Sequence, residues 1–549
     1  MTIILALLTP APKQDSIRHT YILPEEIIDA RYYNFKRDFN MNWRVYVRAF
    51  DSYPMLFDDV KYILMSYGGV APVFDGLSIK GGGPSDNLIL INGIPLITPF
   101  YRFLNFVPVD RDAVQIIDFY RGDMPARYDG MLSAVLDIRT SRNGSYAKVG
   151  LPSAAVMFEG LLMDYFLPSL LSFRKFEWKN HLALYSSAHL NILLMDTYRK
   201  SDTKIYIGED SLTSFTDYIK MAGLSVELGP ISFSGSIEDR IMGGEDFSGK
   251  RGYLRTRNFM GMFYFTKENW GLVGQYSSYL MPDVSDTYYR EIGVDKNYFS
   301  IHTYRKMGPL SIGIAYLSQG KLVPILRFHH KKFLSDSTAI RLFLGTHYQG
   351  YISFDYPFFF KFALRDRVSR GYTAILGYEK VGRSRTIEAE TYVRLFYPYY
   401  VMYPFSINEI PPDTSSDGRS AIIFGIDFSM EDLKNRFRFS ITLQRSLMLP
   451  HLYPSPGDIR YVFTLQYKYV SAFYVDGPVR SDIPIFSRDP ALWKEYPIYV
   501  ISLHYPFQWK GFDFRIGVYN IFPQPNPDDE FSAIYRAFPI PILSVKKEF

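Results

Sequence analysis

From residue 141 onward, apolar and polar residues alternate along the chain. In 231–238, Ile231, Phe233 and Ile237 alternate with Ser232, Ser234, Ser236 and Glu238; in 387–395, Ile387, Ala389, Val393 and Leu395 alternate with Glu388, Glu390, Tyr392 and Arg394. Residues 436–444 set Phe437, Phe439, Ile441 and Leu443 against Arg436, Arg438, Ser440, Thr442 and Gln444. Residues 512–519 set Phe512, Phe514, Ile516 and Val518 against Asp513, Arg515 and Tyr519. Successive side chains of a strand point to opposite faces, so each apolar set lines one face. About nineteen such segments can be marked, many reaching the roughly nine to eleven residues that a tilted strand needs to cross hydrocarbon. Strands of soluble sandwiches are shorter, commonly about five or six residues. The pattern predicts a membrane all-β fold, a large antiparallel transmembrane β-barrel, closed because lipid cannot satisfy a sheet edge.

Before residue 141 the pattern differs. Residues 53–67 carry Leu56, Val60 and Ile63 or Leu64 on one side of a helix and Asp58, Asp59 and Lys61 on the other, with Gly68-Gly69 as the stop. The run 88–91 does not alternate, which suits a strand covered on both faces. Asn92-Gly93 follows it, a pair that accepts positive φ at both centres of a tight turn. A small helix or turn near 110–113 leads into a strand at 114–120. A small α+β unit therefore precedes the barrel. Gly81, Gly82, Gly93 and Gly122 are expected where turns need φ above zero.

Composition narrows the class. Aromatic residues make up 17% of the chain, with 45 Tyr and 44 Phe, while mean hydropathy is −0.08. No apolar run reaches the roughly 18 residues of a spanning helix, whereas lipid-facing alternate residues average to neutral hydropathy. Cysteine is absent, which excludes a disulfide scaffold and a thiolate metal site and is compatible with an oxidising envelope compartment. The 61 basic and 56 acidic residues are dispersed, so neither a nucleic-acid arm nor a polybasic membrane tether is indicated.

Three stretches carry a family resemblance. The first is Lys80-Gly81-Gly82-Gly83-Pro84, then 87–91 leading to Asn92-Gly93-Ile94-Pro95, then Tyr120-Arg121-Gly122-Asp123-Met124-Pro125-Ala126-Arg127-Tyr128-Asp129-Gly130, then Leu132-Ser133-Ala134-Val135-Leu136-Asp137-Ile138. In this order the elements resemble the plug domain of TonB-dependent outer-membrane receptors. Lys80 stands where that family usually has arginine, and Asp129 where it often has glycine. The second is Ile22-Leu23-Pro24-Glu25-Glu26-Ile27-Ile28, which resembles the TonB box, a segment that adds as a strand to a TonB-type energy-transducing protein. The third is the C-terminus, where Leu543, Val545 and the terminal Phe549 resemble the signal read by the barrel-assembly machinery; Lys547 departs from it.

The resemblance implies a bacterial outer-membrane location among outer-membrane lipid, a barrel of about 22 strands, and import of an unknown scarce, bulky nutrient ligand, a siderophore, cobalamin, glycan or peptide. The implied organisation is a signal remnant at 1–16, a periplasmic segment at 17–50, the plug at 51–140 and the barrel at 141–549. The short apolar core at 3–8 also fits a frayed terminus. The alternative function is a plug-containing barrel with a structural or adhesion role. External loops are expected at 396–418 and 475–496.

No cofactor or metal site is expected. His329-His330 is the one histidine pair, and neighbours on a strand face opposite ways. No local motif nominates a catalytic serine, acid and histidine, so enzymatic activity is not expected. Lys80, Arg121, Arg127 and Arg139 are candidates for ion pairs with inward-facing Glu388 and Glu390, or for solvation in a wet interface.

Overall fold

The computed structural model describes residues 43–47, 60–73, 76–83, 86–97, 109–142, 145–151, 153–166, 176–201, 205–207, 210–246, 251–280, 294–295, 297–354, 360–364, 367–382, 384–399, 419–449, 461–476, 498–522 and 539–549. The TonB-box-like residues 22–28 and the possible signal at 1–16 lie outside them, as do nearly all of both expected external loops.

The wall is one closed antiparallel barrel. Among the described residues twenty-two strands complete the ring, and the short Ile205–Ile207 pairs only onto an extension of Asp210–Leu228. Closure joins the last strand, Ile540–Glu548, to the first, Tyr146–Leu151, with Leu543 opposite Leu151 and Glu548 opposite Tyr146. Two-residue turns at 159–160, 229–230, 268–269, 308–309, 468–469 and 510–511 all fall at one end, here the turn end, and the longest connections join strands at the other.

The alternation has the predicted outcome. Phe233 and Ile237 are half exposed on the outer face, while Ser236 and Glu238 on the opposite face are buried. His329 is buried inside and His330 exposed outside. The strand count exceeds the nineteen marked segments partly because Leu190–Ser201 and Asp210–Leu228 run through a region with no clean period. Asp196 and Lys200 lie on the same face as the exposed Ile192 and Leu194, so both faces turn polar and the alternation fades.

Within the ring sits a five-stranded sheet in the order Trp43–Tyr46, Val114–Arg121, Ala134–Thr140, Asn87–Ile91, Ile94–Pro95. Its edge strand Trp43–Tyr46 comes from the stretch expected to precede the domain. All five residues of Asn87–Ile91 are buried, as their unbroken apolar run requires. The helix is Lys61–Leu64 among the described residues. Of its expected polar side, Asp58 and Asp59 lie outside the described residues, and Lys61 is buried like its neighbours, because the wall encloses the domain.

Side chains from every part of the ring reach this domain. Lys148, Ser236, His302, Arg327, Arg394, Arg438, Thr464 and Arg515 all bond to it. Contacts from all sides of a closed ring place it in the lumen. Apolar contact runs round the ring: Ile89, Ile91 and Ile94 share a core with Leu182, Leu193, Met195, Ile219 and Met221 of the wall, Leu88 and Leu90 a second with Met260 and Met262, and Leu132 a third with Phe343, Tyr392 and Phe396. The sector around Arg385–Tyr399 adds ion pairs to this.

Candidate functional site

The strand Arg385–Tyr399 turns Glu388, Glu390, Tyr392 and Arg394 inward as its period of two dictates. The inner domain meets them with two turns. In the first, Lys80 and Gly81 take φ of 46° and 79°, closing a hairpin on the bridge between Ile79 and Gly82. In the second, the strand Val114–Arg121 ends at Gly122, φ 87°.

These turns deliver Lys80 and Arg121 to the wall carboxylates. Lys80 Nζ lies 2.6 Å from Glu390 and 3.7 Å from Asp427, and 4.5 Å over the Tyr392 ring. Arg121 is 3.2 Å from Glu388 and 3.3 Å from Glu390, and donates to the Gly68 carbonyl. Arg341 of the adjoining wall bridges the same two glutamates. Burial opposes the charge on Arg121, but Glu390 and Glu388 outweigh it and raise its pKa above the ordinary arginine value. Asp123 accepts from the Arg121 backbone N–H at 3.1 Å. Burial, reinforced by Glu390, pushes its carboxyl up to about 6.

Three further anchors surround this cluster. Arg394 donates to the carbonyls of Ile79 (3.1 Å), Lys80 (2.9 Å) and Leu132, and to the Ser133 hydroxyl (3.2 Å). Arg327 pairs with Asp129 at 2.7 Å and donates to the Met124 carbonyl. Near the turn end, Asp112 meets Arg515 at 2.6 Å and Lys148 at 3.0 Å.

Of the four expected cations, Lys80 and Arg121 reach Glu388 and Glu390. Arg127 and Arg139 do not. Arg127 stays inside the domain, 3.4 Å from the Tyr120 hydroxyl and 4.5 Å over the Tyr128 ring. Arg139 pairs with Asp118 (3.1 Å) and Asp137 (3.2 Å) of its own sheet, where those carboxylates are nearer than any on the wall. Asn92 and Gly93 form the expected turn, φ 50° and 78°, and Asn92 Nδ2 ties it to Thr140 at 2.8 Å. Gly82 differs from expectation: it lacks positive φ, and the need there is space, since a Cβ would fall 2.2 Å from Ser133 Oγ. Gly83 N–H donates to Asp86 at 2.9 Å. At the other end of the chain Leu543 and Phe549 are exposed and Val545 partly so.

The anchors Arg327, Arg341, Asp427 and Lys148 were not singled out by sequence. Their only signal is that each is an ionisable residue on the polar face of a strand.

No family model and no curated protein matches the sequence. Solved structures match over nearly the whole length. A variant of the ferric enterobactin receptor PfeA from Pseudomonas aeruginosa aligns at 12% identity over 94% of this chain and 99% of its own, TM-score 0.59. The siderophore receptor PirA from Acinetobacter baumannii aligns at 12% identity over 96% and 100%, TM-score 0.56. The FrpB iron transporter from Neisseria meningitidis aligns at 11% over 90% and 97%, TM-score 0.57. At such identities the likeness establishes the fold. The chain shares the fold of these receptors, seen among its described residues as a closed barrel of twenty-two strands.

Proposed function

We propose that the protein is an energy-coupled importer of the bacterial outer membrane, in which the N-terminal domain acts as a plug released from below. The observation that carries this reading is a lumen filled by a separate domain whose ionic sector joins it to the wall through Lys80, Arg121 and Asp129. Ion pairs and carbonyl contacts can be exchanged for water as a plug loosens, which a continuous apolar core cannot do.

Arg44, on the first described strand, lines a cavity bounded by the turns 268–269 and 308–309, so the chain enters the plug near the turn end. A pull on residues 22–28 by a TonB-type partner, through strand addition, would act on that edge. The cargo is a scarce bulky nutrient, and a ferric siderophore is the first to test, given the receptors of like fold. The C-terminal Leu543, Val545 and Phe549 serve recognition by the assembly machinery.

Deleting 22–28 from the chromosomal copy tests this, with growth scored on limiting ferric siderophores, cobalamin, glycans and peptides. Growth on one source should be lost while the heat-modifiable barrel remains in the outer membrane. Unchanged growth on a source that still requires the full-length protein would exclude energy coupling. Loss of surface attachment instead of growth in a strain lacking the whole protein would favour an adhesion role.

A further inference from the structure

We propose that a cavity at the turn end, between the plug and the wall, is a binding site for a small organic polyanion carrying carboxylate or phosphate groups. The cavity has a volume of about 820 Å3, within the range of roughly 300–1,000 Å3 that holds a small-molecule ligand. It lies away from the cluster around Glu388 and Glu390. On the plug side it is lined by Arg44, Tyr120 and Arg127; on the wall side by Trp270, Tyr304, Lys306, His329 and Lys331.

Charge on this lining is one-sided. Four cationic side chains face one carboxylate, Glu268 at the turn. Arg44 and Lys331 are compensated by Asp118 (2.8 Å) and Glu379 (3.3 Å). Lys306 and Arg127 have no carboxylate in ion-pair range among the described residues. His329 gives a second, independent sign. Its side chain is 8% exposed and projects inward between Arg327 and Lys331, and its Nδ1 is buried without a hydrogen-bond partner. The Arg127 Nε is likewise unsatisfied. Unmet buried polar atoms are costly, and a ligand carrying acceptor oxygens would satisfy the Arg127 donor and, in the suitable tautomer, His329. The rings of Tyr120, Trp270 and Tyr304 supply flat apolar surface for the carbon frame.

That this site receives cargo leaving the lumen rests on the import reading; that it binds an anion does not. Equilibrium dialysis of the detergent-solubilised full-length protein against radiolabelled citrate and pyrophosphate, with glucose as neutral control, tests the binding. One saturable site is expected for an anion and none for glucose, with affinity at least tenfold weaker in His329→Leu and in Lys331→Met. Lys306→Gln, at the exposed rim, leaves the packing untouched and should weaken binding about threefold. Absence of saturable anion binding, or equal affinity in all three variants, overturns the proposal. Because the assay needs neither cells nor residues 22–28, its failure is separate from a failure of uptake.

Discussion

Lys80 and Asp129 are the two positions at which the plug motif departs from the pattern it resembles, and each carries a buried ion pair to the wall. Lys80 keeps a positive charge at its position and meets Glu390, whereas Asp129 brings a charge where glycine is often found and needs Arg327 opposite it. Removing one member of a buried pair commonly costs about 3–5 kcal/mol, because the other charge is stranded. Lys80→Met should therefore loosen the plug, seen as faster cleavage within residues 60–140 by added protease. Because Glu390 also holds Arg121 and Arg341, the losses from Lys80→Met and Glu390→Gln should be less than additive in the double variant; strict additivity would disprove the pairing. Asp123 allows a pH test. Its folded pKa of about 6 exceeds the ordinary aspartate value. The folded state thus holds a proton that the unfolded chain has released between about pH 4 and 6, and stability from this group is lost as pH rises through 6. Asp123→Asn should be more stable than the parent at pH 7.5, by on the order of 2 kcal/mol, with the gap closing towards pH 4. Apparent melting temperatures in detergent across that window measure it.

The strands were legible because lipid outside and a partly polar domain inside impose a period of two, seen most plainly where Glu388 and Glu390 flank Ala389. The plug turns were legible too, since Asn92-Gly93 names its own geometry. Partners were not: nothing in sequence separates Arg121, which crosses to the wall, from Arg139, which folds back onto Asp118 and Asp137. Which carboxylate lies nearer depends on strand order, and that is a property of the assembled sheet. The lipid-facing assignment predicts that Ile237→Arg costs about 2–4 kcal/mol if it lies near the bilayer midplane. Folding yield into phospholipid vesicles should fall sharply for Ile237→Arg, and far less for Lys220→Arg, which keeps a charge already present on the outer face. Within the plug, Gly82→Ala should displace Ser133 and with it the Arg394 contact, costing about 1–3 kcal/mol.

A barrel of this girth has a lumen wide enough for water once emptied. The full-length protein should be nearly silent in planar bilayers, whereas a chain lacking residues 43–140 should form large, steady channels; equal conductance of the two would mean that the inner domain does not seal the pore. Apolar contact holds the inner domain round the ring, and Lys80 and Arg121 add charge along one arc.

The seam between Tyr146–Leu151 and Ile540–Glu548 has a consequence for biogenesis. Its two halves stand at opposite ends of the wall-forming sequence, so every earlier hairpin waits for the final nine residues before the cylinder exists. A ribosome that stops short of residue 540 releases a sheet with two raw margins, a template for clumping rather than a smaller vessel. Quality control of this product therefore has one late checkpoint, and a nonsense codon near the end of the message should be as damaging as one near its middle.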